Sequence, residues 1–109
     1  MSNPESLAKS AREKLALALS ALQANGEPPE PLMKLAEPIA QAMGILHRIE
    51  RSRGADLTGR DVALANVRSA LNELQNITFD HPALDAVMDH VAGSLSSVHH
   101  LARMAPPTP

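Results

Sequence analysis

The side chains best suited to metal or proton chemistry in this sequence are its five histidines, His47, His81, His90, His99 and His100. A helical metal site draws its ligands from positions three or four apart, so that they converge on one ion. No two histidines have that spacing, and none has a glutamate three residues before it, as di-iron bundles require. Steps of nine residues, from His81 to His90 and from His90 to His99, place successive rings on opposite helix faces. The chain has no cysteine, so disulfides, thiolate metal sites and cysteine nucleophiles are excluded. No metal and no cofactor is expected.

His47 is open to a second chemistry, phosphoryl acceptance, which needs an exposed imidazole on a helix with basic neighbours. It lies in Leu46-His47-Arg48-Ile49-Glu50-Arg51-Ser52-Arg53-Gly54. This short segment resembles the acceptor region of histidine phosphotransfer domains, which are four-helix bundles of similar size. Their pattern has a lysine three residues after the histidine and a glycine next. Here those positions are Glu50 and Arg51, and a glutamate repels an incoming phosphate. The resemblance implies a histidine phosphotransfer protein with His47 as phospho-acceptor, the alternative to the main reading below. Other catalytic patterns fail on residue type. Gly54 to Asp61 has the spacing of a phosphate loop, but Arg60 and Asp61 stand where lysine and a hydroxyl are needed. Asp85 and Asp89 are one turn apart on a face read as solvated, and no serine-nucleophile elbow is present.

What remains is a surface. Ten basic and twelve acidic residues give a formal net charge of −2, which argues against a protein that coats nucleic acid. Phe79 is the single aromatic residue, so stacking platforms and aromatic-lined ligand pockets are excluded. The first residues carry no basic segment followed by an apolar run, and no stretch is apolar over bilayer thickness. A cytoplasmic protein without a membrane span is the expectation.

The elements that must position this surface are helices. Alanine, leucine, methionine, glutamate, glutamine, lysine and arginine dominate, and these favour helix. The first helix is predicted from about Pro4 to Asn25, capped by Ser2 or Asn3, with Leu7, Ala11, Leu15, Ala18 and Leu22 inward and Gly26 as its stop. The second runs from about Glu30 to Arg53, with Leu32, Leu35, Ile39, Met43, Leu46 and Ile49 inward and Gly54 ending it. Pro38 lacks an N–H and crowds the carbonyl of Lys34, which predicts a kink or break between Lys34 and Glu37. The third runs from about Gly59 to Ile77, with a capping arrangement at Thr58-Gly59-Arg60-Asp61 and Leu64, Val67, Leu71 and Leu74 inward. The fourth is capped by Asp80 and runs to about Met104, with Leu84, Val87, Val91, Leu95, Val98 and Leu101 inward. Residues 105–109 read as a flexible, proline-rich tail.

Shifted by fifty-two positions, Leu19 to Arg51 lies on Leu71 to Arg103 without a gap. Leu19/Leu71, Leu22/Leu74, Gln23/Gln75, Leu32/Leu84, Ala40/Ala92, His47/His99 and Arg51/Arg103 are identical, and Glu37/Asp89 and Ile39/Val91 are similar. The pattern predicts a duplicated helical hairpin, residues 4–53 and 59–104, closing into one all-α, antiparallel up-down-up-down four-helix bundle over residues 1–104.

That topology separates charge. One end collects Lys9, Arg12, Lys14, Arg48, Arg51, Arg53, Arg60, Arg68 and Arg103 against five acids, a surplus of four positive charges; the other half has Lys34 against seven acids. Helix-dipole complementation explains Arg48, Arg51, Arg53 and Arg103, but not Lys9, Arg12 or Arg60, which lie near helix starts. The main reading is therefore a non-enzymatic protein–protein interaction module, a small adaptor, regulatory or chaperone-like subunit. Its binding residues are Arg48, Arg51, Arg53, Arg60, Arg103, His47 and His99, and its partner is a protein with an acidic or phosphorylated surface. The columns Ala36, Ala40, Met43, His47 and Met88, Ala92, Leu95, His99 flank the core stripes and offer a homodimer face where exposed. An anionic-ligand or nucleic-acid binder is the third reading. One measurement separates the first two. Incubation with a phosphorylated receiver domain leaves acid-labile label that His47→Ala abolishes in a phosphotransfer protein, and leaves none in an interaction module.

Overall fold

Asn3 opens the first helix. Its backbone is extended and its Oδ1 accepts a hydrogen bond from the Ser6 N–H at 2.7 Å, so one of the otherwise orphaned first-turn donors is satisfied. The computed structural model describes residues 3–24, 30–53, 55–77 and 84–103; the stops at Gly26 and Gly54, the Ser2 and Asp80 caps and the 105–109 tail lie outside them. Helix α1 spans Pro4–Gln23 and buries Leu7, Ala8, Ala11, Leu15, Ala18 and Leu22, the predicted stripe plus Ala8.

The second predicted helix is two. Helix α2, Glu30–Met33, ends in a turn at Lys34 and Leu35, and α3 spans Ala36–Arg51. Pro38 sits in the first turn of α3, where a missing N–H is tolerated, and the backbone resumes with Ile39 N–H donating to Leu35 O at 3.3 Å. Helix α5, Leu84–Arg103, has His90 at the position fifty-two residues on and is unbroken. Helix α4 spans Arg60–Gln75.

Each long helix packs on two neighbours, α1 on α3 and α5, and α4 on α3 and α5, so α1/α4 and α3/α5 are the diagonals of a four-membered ring. Contacts across the ring run antiparallel: Arg12 early in α1 meets Glu50 at the end of α3, and Arg68 of α4 meets His99 late in α5. The fold is the expected antiparallel four-helix bundle, with its second helix broken at Lys34–Leu35 and no strand among the described residues.

The inward faces are rotated slightly from the expected ones. Ala42 and Ile45 are buried on α3 while Met43 is half-buried, and Ala63 and Ala70 are buried on α4 while Leu64 and Leu71 are half-buried. On α5, Ser94 is fully buried and Leu84 and Leu95 are half-buried. Fully buried small residues, Ala8, Ala11, Ala18, Ala42, Ala63, Ala70 and Ser94, alternate along the stripes with fully buried large ones such as Leu15, Leu35, Leu46 and Leu101, so that large side chains of one helix fit beside small ones of its neighbours. Burial has the same period as the sequence. Ala11/Ala63, Leu15/Val67, Ala18/Ala70, Leu22/Leu74, Leu35/Val87, Ile39/Val91, Ala42/Ser94, Leu46/Val98 and Ile49/Leu101 are buried in both halves.

Among the described residues Ser94 is the one fully buried polar residue, and its Oγ donates to Val91 O at 2.7 Å within its own helix. That carbonyl belongs to the helix ladder, so removing the hydroxyl orphans nothing. Ser94→Ala, which copies Ala42 of the other hairpin, is expected to change stability by less than about 1 kcal/mol. Leu46→Ala, which empties a fully buried site, is expected to cost about 2–5 kcal/mol. Paired denaturant melts check both.

Candidate functional site

The basic end is built by the finish of α3, the connection from Ser52 to Gly59 and the start of α4. Helix α3 ends at Arg51, two residues before the predicted end, and the predicted stop Gly54 lies outside the described residues. Ser52 caps it, with its N–H donating to Arg48 O and its Oγ donating to Ile49 O at 2.7 Å. The next residue, Arg53, takes the left-handed conformation at φ 58°, one position before Gly54. Ser52 Oγ also accepts from the Asp56 N–H at 3.0 Å, and Asp56 Oδ1 accepts from the Thr58 N–H at 3.0 Å. Hydrogen bonds from Thr58, its side chain first and then its backbone, hold the Asp56 carboxyl below the usual carboxylate range, and Arg48 adds to this.

The start of α4 also departs from the expected capping. Thr58 does not cap the helix; Gly59 is the N-cap, at φ 90°, with no side-chain hydrogen bond. Glycine is required there twice over, because a Cβ would be strained at that φ and would lie 3.0 Å from Ile45 Cγ2. Leu57 tucks into the core and pins the connection against the bundle.

Of the cations the dipole could not explain, Arg12 has a structural partner. Its Nε donates to Glu50 Oε2 at 2.7 Å and Nη2 to Oε1 at 3.2 Å, a bidentate pair joining α1 to α3. That hydrogen bond, opposed by partial burial and helped by the charges of Arg12, His47 and Lys9, holds the Glu50 carboxyl below its ordinary range. Arg12 therefore fastens the bundle and belongs to no docking surface. Lys14 is likewise engaged: its stem lies over Gly93 and its Nζ donates to the Gly93 carbonyl at 3.4 Å.

The predicted binding residues divide into three places. Arg48, Arg51 and Arg53 are exposed at the end of α3. Arg60 is half-buried, and its Nη1 is enclosed without a hydrogen-bond partner. Arg103 is exposed on α5, where it lines a shallow depression with Ser96, His99 and His100. Among the described residues the ion pairs are Arg12–Glu50 and Lys34–Glu30, so none of these five arginines is matched by a carboxylate. His47 and His99 are not brought together. They lie on the diagonal helices α3 and α5; His47 is exposed, and His99 packs beside Arg68, with Nη2 3.4 Å from Nδ1. No group of three or more histidines and carboxylates among the described residues is placed to hold a metal ion, and no described helix is long and apolar enough to cross a membrane. The sequence pattern missed the left-handed Arg53, because Gly54 beside it is the residue that usually takes that conformation.

Comparison with the models of known protein families, with curated proteins and with solved structures returns no match.

The Arg12–Glu50 pair has a pH signature. A carboxyl whose folded pKa is depressed contributes stability that is present above its unfolded value, about 4.3 for glutamate, and is lost as pH falls through the folded value. Arg12→Met is expected to cost about 1 kcal/mol at neutral pH and to remove part of the acid sensitivity below pH ~4. Thermal melts of both proteins across pH 2–7 (about the carboxylate range) measure the difference.

Proposed function

We propose that this chain is a non-enzymatic interaction module whose basic end docks an acidic surface of another protein. The observation that carries the reading is Arg53. A non-glycine residue in the left-handed region costs on the order of 1 kcal/mol, and the adjacent Gly54 would take that conformation freely. Strain retained at an exposed residue that makes no ion pair among the described residues is sensible where the side chain is needed in one place. There it adds its charge to Arg48 and Arg51 on the last turn of α3, with Arg60 and Arg103 on the same end.

Several further features favour binding over catalysis. The described histidines are dispersed, the depressions on the surface are shallow, and the chain has one aromatic residue with which to line a pocket. Unmatched arginines on a stiff bundle end suit charge-steered association, since rim charges act chiefly on encounter rate. An acidic or phosphorylated protein surface is the complement.

Two substitutions test the reading. Arg53→Gly is expected to raise stability by about 1 kcal/mol, through relief of the left-handed strain, while slowing association with a fluorescent oligoglutamate. Arg53→Glu with Arg103→Glu is expected to leave the fold intact, slow association further and flatten its salt dependence. If both proteins associate as fast as wild type, with the same salt dependence, the basic end is not the docking surface.

A further inference from the structure

Beyond the core, the matches between the two hairpins are concentrated on one stripe of each. On α3 the stripe is Glu37, Ala40, Gly44, His47 and Arg51, and all five are exposed. Fifty-two residues on, α5 carries Asp89, Ala92, Ser96, His99 and Arg103 in the same order. Core positions repeat because both hairpins must fill the same interior. An exposed stripe has no such packing constraint; duplication supplies its acid–alanine–small–histidine–arginine order in both hairpins, and what sets α3 apart is how its own stripe fits a second copy.

The α3 stripe is self-complementary. Glu37 lies seven residues before Gly44 and Arg51 seven residues after it, two helical turns either way. Set antiparallel against a second copy with the two Gly44 residues facing, each Glu37 meets Arg51 of the other copy. A parallel arrangement would instead put Arg51 against Arg51 and Glu37 against Glu37. The same antiparallel placement lays the basic half of each bundle beside the acidic half of the other, which favours it over the whole length.

The centre of the stripe allows close approach. Apart from its chain neighbours and the backbone of its own helix, nothing lies within 4 Å of where a Gly44 Cβ would be, and Ala40 is one turn away. Beside them runs a groove lined by Gln41, Arg48, Asn66 and Val62, in which Val62 is 55% exposed, the most exposed large apolar residue described. The α5 stripe lacks these features. Ser96 replaces the glycine, and the counterpart of Val62 is Ser10.

We infer that α3 is the seam of an antiparallel homodimer, with Gly44 at the crossing, Glu37 and Arg51 paired at both ends and Val62 covered at its edge. The interface is isologous, so each pair occurs twice. Arg51 pairs in the seam and Arg48 lines the groove beside it, so in the dimer the docking end is Arg53, Arg60 and Arg103, which lie beyond the seam, and the inference does not depend on the docking role proposed for them.

Sedimentation over a concentration series tests this with the full chain. Wild type is expected to shift from monomer to dimer. Glu37→Arg alone faces each new arginine with Arg51 and is expected to weaken the dimer at least tenfold. Glu37→Arg with Arg51→Glu rebuilds both pairs with reversed polarity and is expected to recover most of that loss. Gly44→Arg, at an exposed position with open space, is expected to leave a folded monomer by circular dichroism, whereas Ser96→Arg leaves the dimer unchanged. A wild-type monomer at all concentrations, or a charge-swapped double variant no tighter than the single one, overturns the inference.

Discussion

Each helical hairpin exposes an apolar stripe that only the other hairpin can cover, and this mutual burial is the constraint on which the rest of the structure depends. A fully buried leucine or valine is stabilised by about 1.5–3 kcal/mol relative to its exposed state. Nine positions in each half are buried at the same offset. No disulfide supplements them, because the chain has no cysteine. The fully buried alanines of α1, α3 and α4 make room for the fully buried leucines, isoleucines and valines that fill the interior beside them. Among the described residues Ser94 is the one polar residue buried as a whole, and its hydroxyl turns back on its own helix and needs nothing from its neighbours; Arg60 and Asn66 each enclose one nitrogen without a partner.

Once the helices are placed, electrostatics divides into fastening and display. Arg12 and Glu50 fasten α1 to α3 through two hydrogen bonds, and Lys14 lies along α5. The arginines of the α3 terminus and of the connection that follows are displayed instead. The described part of that connection makes short-range polar bonds through Ser52 and Asp56 and buries Leu57. The bundle thus presents a positively charged end, and along α3 a charge-polarised stripe with a glycine at its centre. Both surfaces draw on the same physical resource, rigid helices that fix long cationic side chains in register.

Much of this was legible in the residues. Helical periodicity marked the elements, Pro38 marked the break in the second helix, Asn3 marked the first cap, and the offset of fifty-two residues matched the pattern of burial. These features are local or periodic, and local sterics and hydrogen-bond capacity determine them. The chemistry excluded by composition, thiolate sites and aromatic stacking, needed no structure either.

Tertiary packing decided the rest. Periodicity locates an apolar stripe only to within about one residue's rotation, so the choice of Ala63 and Ala70 over Leu64 and Leu71 as the buried centre depended on how near the neighbouring helices came. The role of Arg12 depended on Glu50, thirty-eight residues away and on another helix. The separation of His47 from His99 followed from their helices taking diagonal corners. The left-handed turn fell on Arg53, although Gly54 is the residue with intrinsic freedom to adopt it, because a helix end is set by where its last carbonyls find partners, here the Ser52 and Arg53 N–H groups. Residue identity sets what each position can do, and only packing sets which neighbours it meets.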